Sequence, residues 1–243
     1  MSDDGSDNAP SPFRRPMFIL SAGFLAVIVV LAAFMVRSSL GDDSGTPEAT
    51  PPATAAAPPS GDGACRPTDT NQQIPTSSPP GVSWQVFKGL ALPVSAAAGP
   101  LVTDGDVVRC FARTPAGALI AATQISARVE FADGWQQVAA QSVIAGPGRS
   151  AFLREHAKAT ASQPTGPGSL AQVTGYKFVT YTTDVAVIDT VVRAPTSGSL
   201  ASSITTVKWV DGDWKLELQP DGSVNSPPRL IQTLDGYVPW GGV

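Results

Sequence analysis

The longest apolar stretch of the chain runs from Met17 to Val36 and contains no charged residue. As an α-helix it would be about 30 Å long, which is the thickness of the hydrocarbon core of a bilayer. The apolar region of a cleaved signal peptide is shorter, about 7–15 residues, and small residues follow it at the cleavage site. Here Phe34-Met35-Val36 leads directly into Arg37. The pattern therefore predicts an uncleaved signal anchor with one transmembrane helix at residues 17–36.

Basic residues around this stretch indicate its orientation. Arg14 and Arg15 precede it, and Arg37 is the only basic residue that follows it closely. The flank with more Lys and Arg usually stays in the cytoplasm. We therefore expect residues 1–16 to be a cytoplasmic tail and the large part after the span to be extracytoplasmic, in a single-pass protein of the cell membrane.

A Pro-, Ala- and Thr-rich segment separates the span from the rest of the chain, at residues 37–80. From residue 41 to residue 64 it lacks large apolar side chains, so it cannot bury enough surface to offset the entropy lost on ordering. The pattern predicts a disordered, semi-extended linker, in which residues 38–64 would reach about 80 Å at about 3.1 Å per residue. It could serve as a tether through a cell envelope or as a neutral connection, and the sequence does not separate the two.

Helical spacing follows in the remaining domain, residues 81–243. Thr114 before Pro115 is typical of a helix start, with threonine as the cap and proline in the first position. Apolar residues then recur three and four positions apart, at Ala118, Ala122, Ile125, Val129 and Ala132. A shorter second helix is predicted from Trp135, and a third from Arg149 to Thr160.

The period changes to two after residue 170, which indicates strands around Tyr176–Tyr181 and Val185–Arg193. The clearest signal is the last hairpin, in which Asp211-Gly212 forms the turn between two alternating segments. This register places six side chains on one core-facing side, in the pairs Trp209 with Trp214, Val207 with Leu216 and Thr205 with Leu218. The opposite side, with Lys208, Lys215, Asp213 and Glu217, is expected to face water.

Helices followed by antiparallel strands indicate an α+β domain. Three helices before long strands that end in Trp209-Val-Asp-Gly-Asp-Trp214 resemble the nuclear-transport-factor-2-like fold, a cone of three helices packed on a curved antiparallel sheet. With its anchor and linker, the chain also resembles actinobacterial membrane proteins of conjugative elements, the inner-membrane assembly subunit of type IV secretion systems, and mycobacterial Mce-associated membrane proteins. This resemblance implies an assembly role and a fold that is hollow at one end.

Composition further narrows the source of the chain and the functional classes that it can belong to. The chain is 42% hydrophobic and 15% charged with a net charge of -4, and Arg is more frequent than Lys. Abundant Ala, Pro, Gly and Thr are typical of GC-rich genomes such as those of actinobacteria. From Cys65 onward 13 basic residues balance 13 acidic ones, so no basic surface predicts direct nucleic-acid binding.

The chain has two cysteines, Cys65 and Cys110. Outside the cytoplasm such a pair is usually oxidised, and we predict a disulfide that fastens the start of the domain to its body. Two unrelated buried thiols are the alternative. Two cysteines and the single histidine, His156, do not form a zinc pattern, and no metal or cofactor is expected.

Candidate catalytic residues are few. His156 is expected on a half-buried helix face. Asp189 lies among Val and Ile and is either a buried acid with a raised pKa or a solvent-facing strand residue. Tyr176, Tyr181 and Asp184 also lie on candidate strands, and Trp209 and Trp214 either line a cone cavity or pack in the core.

These observations favour a non-enzymatic, membrane-anchored assembly or scaffold subunit of a conjugative transfer or secretion apparatus. Its expected partners are other membrane or secretion-apparatus proteins, with a second copy of the chain as another possibility. The alternatives are a small-molecule or lipid-binding module that uses the cone cavity, and an isomerase- or dehydratase-like enzyme. The apolar, aromatic C-terminus, with Tyr237 and Trp240, is expected to dock back on the domain because an exposed pair would be a sticky patch.

Overall fold

A computed structural model describes residues 65–159 and 170–242 of the chain. The predicted cytoplasmic tail, the transmembrane helix at residues 17–36 and the first part of the predicted linker lie outside the described residues. Within the described ranges, every helix is too short or too polar to cross a membrane.

The described chain is an α+β domain with three helices and a curved antiparallel sheet. Its helices are α1 (Pro115–Phe131), α2 (Trp135–Ser142) and α3 (Pro147–Ala159). Its strands are β1 (Val82–Phe87), β2 (Leu90–Ser95), β3 (Val102–Asp104), β4 (Val107–Arg109), β5 (Gln172–Tyr181), β6 (Val185–Arg193), β7 (Leu200–Val210), β8 (Asp213–Glu217), β9 (Arg229–Ile231) and β10 (Val238–Pro239). The expected α+β class is therefore confirmed.

The main sheet has the strand order β10-β5-β6-β7-β8, and β9 pairs with the far end of β7. All of its pairings are antiparallel. Two register shifts interrupt the pairing of β5 with β6, and such bulges increase the local twist of a sheet. Two small hairpins, β1–β2 and β3–β4, precede the helices.

Helix α1 lies at the centre of the domain. Its start is as predicted, because the hydroxyl of Thr114 accepts a hydrogen bond from the backbone N–H of Gly117 and Pro115 follows the cap. The apolar stripe is confirmed as buried, but the burial extends almost around the helix. The sheet covers one side, and the β1–β2 hairpin covers another, where the side-chain amide of Gln124 donates to the carbonyl of Pro93 at 2.9 Å.

Glu130 lies on the last turn of α1, and burial raises its pKa from 4.5 to about 7. The folded state thus retains a proton that the unfolded chain releases, so stability is full below pH 4.5 and falls as the pH rises through about 7. We expect Glu130→Gln to stabilise the protein at pH 8 by about 2–3 kcal/mol more than at pH 4, in thermal unfolding at both pH values. Glu155→Gln, at an exposed site on α3, is the matched control and should show no such difference. Equal effects of Glu130→Gln at the two pH values would contradict the assignment.

The third helix begins two residues earlier than predicted, at Pro147 instead of Arg149. Gly146-Pro147-Gly148 is not only a break, because proline is well tolerated in the first turn of a helix. Gly148 is required for packing, since a Cβ there would lie 2.5 Å from the carbonyl oxygen of Gln219. The glycine therefore allows α3 to approach the chain that follows β8.

The predicted hairpin register is confirmed, with Trp209 opposite Trp214 and Val207 opposite Leu216. Lys208 and Lys215 are directly opposed, as expected, and each pairs with an acid, Glu217 at 2.7 Å and Asp211 at 2.7 Å respectively. The water-facing placement of Asp213 was wrong. Its carboxylate accepts the backbone N–H groups of Cys110 at 2.6 Å and Phe111 at 3.1 Å, and it joins the turn of the hairpin to the end of β4.

The predicted linker extended to residue 80, whereas the chain from Cys65 onward lies against the domain. The backbone N–H groups of Thr68 and Asp69 donate to the carbonyl of Ala97, and Asp69 accepts the hydroxyl of Thr114 at 2.6 Å. Farther along, the carbonyl of Ser77 accepts the hydroxyl of Tyr176 at 3.0 Å. These contacts could not be predicted from the Pro- and Ser-rich composition, because they are made largely by backbone groups.

Candidate functional site

The space between α1 and the main sheet is filled by side chains. On the inner face of the sheet, six hydrophobic residues are at most 1% exposed: Tyr176, Ala186, Ile188, Val207, Trp214 and Leu216. They belong to one continuous cluster with the buried positions of α1 and α2. The residues proposed as lining for a cone cavity therefore include members of the packed core.

Two of those residues have satisfied polar groups inside the core. The indole N–H of Trp214 donates to the carbonyl of Ala112 at 2.8 Å. The hydroxyl of Tyr176 donates to the carbonyl of Ser77, and burial raises the pKa of Tyr176 to about 12. Each ring thus binds a segment that lies outside the main sheet, so both act as structural contacts.

Trp209 differs from its partner in the hairpin because it is only half-buried. Its ring lies 5.5 Å from that of Trp214 in an edge-to-face arrangement, and the guanidinium of Arg113 lies 5.4 Å above it. Arg113 also forms an ion pair with Asp184. Beside it, the hydroxyl of Tyr181 donates to the side-chain oxygen of Gln72 at 2.8 Å. The two tryptophans therefore divide into one core residue and one surface residue.

Asp189 is 1% exposed and lies on the outer face of the sheet, opposite to Ile188. Its Oδ2 accepts the hydroxyl of Tyr237 at 2.8 Å and the guanidinium of Arg229 at 3.2 Å, and the ammonium of Lys177 lies 3.5 Å away. Its Oδ1 is buried without a hydrogen-bond partner. The solvent-facing interpretation is wrong because the carboxylate is buried, and the cations beside it come from β5 and β9.

The cover over Asp189 is the end of the chain, and residues 229–242 are called the C-terminal segment below. It begins with β9 against β7 and ends with β10 against the edge of β5. Trp240 is 4% exposed, with its ring 4.8 Å from that of Trp84 and 5.4 Å from that of Tyr176. The expected docking of the C-terminus on the domain is thus confirmed. The path of this segment could not be predicted from the sequence, because neither Trp84 nor Asp189 belongs to a pattern that indicates its contact partner.

The two cysteines form a disulfide, with Cα atoms 5.3 Å apart. Cys65 is exposed, whereas Cys110 is buried and adjacent to the carboxylate of Asp213. A surface groove of about 230 Å³ runs beside the bridge, with Arg109 and Lys215 among its lining residues. The bridge therefore lies at the end of the domain that carries the Asp211-Gly212 turn.

A second groove, of about 310 Å³, lies beneath residues 69–80 and next to the β1–β2 hairpin. Its polar lining consists of Asp69 together with uncharged side chains, among them Asn71, Gln73, Thr76 and Ser77. Asp69 is already bonded to Thr114. The groove offers hydroxyl and amide hydrogen bonds, and its one charged lining residue is Asp69.

His156 is 8% exposed and packs on aromatic rings, with Trp135 and Phe152 each at 4.6 Å. Burial lowers its pKa, which favours the neutral form of the imidazole. Its Nε2 is buried without a hydrogen-bond partner. The described residues contain no group of three or more potential metal ligands, and His156 is a core residue of the α2–α3 pair, more buried than the half-buried position predicted.

A protein-family model, described as a domain of unknown function (DUF8175), matches residues 45–239. The chain belongs to this family. No curated protein and no solved structure matches it. The DUF8175 match includes both cysteines, all three helices and the strands through β10, so the disulfide lies within the family domain, whereas Trp240, Gly241 and Gly242 follow its last matched residue. The predicted transmembrane helix at residues 17–36 precedes the DUF8175 match.

Proposed function

We propose that this DUF8175 protein is a membrane-anchored, extracytoplasmic scaffold subunit of a conjugative transfer or secretion apparatus. In this proposal the domain acts through contacts on its outer surface and does not catalyse a reaction. The observation that carries it is the filled space between α1 and the main sheet, where Tyr176, Trp214 and their neighbours are fully buried. A binding module that used a central cavity would need that space.

The disulfide supports the proposed compartment. Cys65 and Cys110 are bridged, and disulfides persist in oxidising compartments but are rare in the cytoplasm. A domain that starts with a covalent bridge also suits attachment to a tether, because the bridge fixes the point at which the preceding chain leaves the body. The anchor at residues 17–36 would place this point on the outer side of the membrane.

The α+β architecture supports the nuclear-transport-factor-2-like interpretation of the fold. Three helices precede a curved antiparallel sheet whose strands β5 to β8 follow each other in sequence, as expected for that fold. The two early hairpins and the C-terminal segment would be additions of this family. In this chain the two early hairpins and the C-terminal segment would close the end of the cone that is open in other proteins of the nuclear-transport-factor-2-like fold.

The alternatives lose support from particular contacts. Trp209 and Trp214 were the proposed lining of a ligand cavity, but Trp214 is buried in the core and Trp209 is covered by Arg113. Asp189, the best candidate for an enzymatic acid, lies under the C-terminal segment and is neutralised by Arg229 and Lys177. Neither arrangement offers space for a substrate at the group that would act on it.

Outer-surface contacts can be tested by photo-cross-linking in native cells. Val86 on β1 is 84% exposed and Val179 on β5 is 53% exposed, so both side chains are accessible to a partner on the outer surface. A photoreactive amino acid at either position should yield discrete adducts with membrane proteins of a transfer apparatus, identified by mass spectrometry. The same residue at Asp133, whose side chain is 88% exposed, is the matched control and should yield none. Adducts that contain no apparatus component, or identical background at all three positions, would contradict the proposal.

A further inference from the structure

The end of the chain occupies a groove between the edge of β5 and the β1–β2 hairpin. Val238 pairs with Tyr176, and the backbone N–H of Trp240 donates to the carbonyl of Thr174 at 3.1 Å. The final residues therefore extend the main sheet by one strand. Addition of an extended peptide to a sheet edge is a common mode of peptide recognition.

Trp240 anchors this short strand in an aromatic pocket. Its ring contacts Trp84 and Tyr176 at centroid distances of 4.8 and 5.4 Å. Beyond the anchor only glycine fits. A Cβ on Gly241 would lie 2.5 Å from the carbonyl oxygen of Val173, and one on Gly242 would lie 2.7 Å from the indole ring of Trp84. The groove thus selects for the sequence Trp-Gly-Gly.

Residues 232–236 join the docked residues to the rest of the chain and are mostly exposed. The chain is bonded to Asp189 on both sides of this link. Residues 232, 233, 235 and 236 are exposed, and the buried carboxylate of Asp189 binds Arg229 before this stretch and Tyr237 after it. The indole Nε1 of Trp240 is buried without a hydrogen-bond partner, so the docked segment has one unsatisfied donor. These features describe a segment that is specific for its groove, and among the described residues the side-chain hydrogen bonds of residues 237–242 with the domain are those of Tyr237 with Asp189 and of Ser78 with the carbonyl of Pro239 at 3.1 Å.

We propose that the groove also accepts the C-terminal segment of a second copy of this chain, so that two copies exchange residues 237–242. The groove is complementary to this sequence whichever copy supplies it, and the contacts within the groove are the same in both arrangements. Exchange of an identical element is a low-cost route to dimers. Anchoring in a membrane would favour exchange through a raised effective concentration, but the inference does not require the anchor and can fail while the proposed function stands.

The direct test cleaves the chain before the docked segment and adds a synthetic peptide that can bind in its place. The full-length chain is given a protease site between Asp235 and Gly236, cleaved after folding, and mixed with a fluorescent synthetic peptide of residues 233–243. Saturable binding by fluorescence anisotropy is expected, with the Trp240→Ala peptide weaker by about tenfold or more, and the Gly242→Val peptide similarly weakened. Absence of saturable binding while circular dichroism shows a folded cleaved chain would overturn the proposal, as would equal binding of all three peptides.

Exchange in the uncut protein gives an independent measurement. Two populations of the full-length chain, with donor or acceptor dyes in the exposed 232–236 link, are mixed, and energy transfer is followed over time. Asp189→Asn weakens the hydrogen bond from the hydroxyl of Tyr237, which lies within the exchanged residues, and should accelerate the rise of energy transfer by about tenfold or more. Asp184→Asn is the matched control, since this exposed acid pairs with Arg113 away from the groove, and it should leave the rate unchanged. No energy transfer in either variant, or equal acceleration by both, would overturn the proposal.

Discussion

Truncation of Trp214 to alanine is expected to lower the free energy of unfolding by about 3–5 kcal/mol, whereas Trp209→Ala should cost about 1–2 kcal/mol. Trp214 is 1% exposed, and its loss would open a cavity and leave the carbonyl of Ala112 without its donor. Trp209 is half-buried, and its removal uncovers a surface that water can reach. Since small domains are stable by only about 5–15 kcal/mol, the first change should unfold a marginal protein.

Thermal and denaturant unfolding of both variants, followed by circular dichroism, measures this difference. Lys208→Ala is the matched control on the opposite face of the same strand, where its ion pair with Glu217 is partly exposed, and it should change stability by less than about 1 kcal/mol. Equal losses for Trp209→Ala and Trp214→Ala would contradict the division of this pair into a surface and a core residue.

Removal of the disulfide, by Cys65→Ser together with Cys110→Ala, is expected to cost about 4 kcal/mol. The bridge closes a loop over a sequence separation of 45 residues, and its loss restores conformational entropy to the unfolded chain. The alanine keeps the buried site of Cys110 apolar, so the measurement reports mainly the cross-link.

The comparison of unfolding midpoints should be made for the double variant, the wild type, and the wild type in a thiol reductant strong enough to open the bridge. The last two conditions should differ by as much as the double variant differs from the oxidised wild type. A double variant within about 1 kcal/mol of the wild type would show that the loop is held by its other contacts, such as those of Thr68 and Asp69 with Ala97.

Local signals were enough for the elements whose partners are near in sequence. The Asp211-Gly212 turn and the alternation on both sides of it fixed the register of β7 with β8. Thr114 and Pro115 fixed the start of α1. In each case the pattern and the contact lie within about one element, so the sequence contains the information.

Contacts between distant segments could not be predicted. Asp213 reads as a water-facing strand residue, yet it accepts backbone N–H groups more than one hundred positions away. Trp209 and Trp214 are symmetric in the hairpin, and only the placement of Ala112 and Arg113 distinguishes them. The burial of Asp189 depends on the C-terminal segment, whose route no periodicity indicates.

The central proposal is that this domain, whose start is closed by the Cys65–Cys110 disulfide, works outside the cytoplasm. The most direct test is mass spectrometry of peptides from protein purified from native membranes, alkylated before lysis and digested without reductant. The account predicts that the peptides of Cys65 and Cys110 are recovered as one linked species. Recovery of both as alkylated free thiols would contradict it.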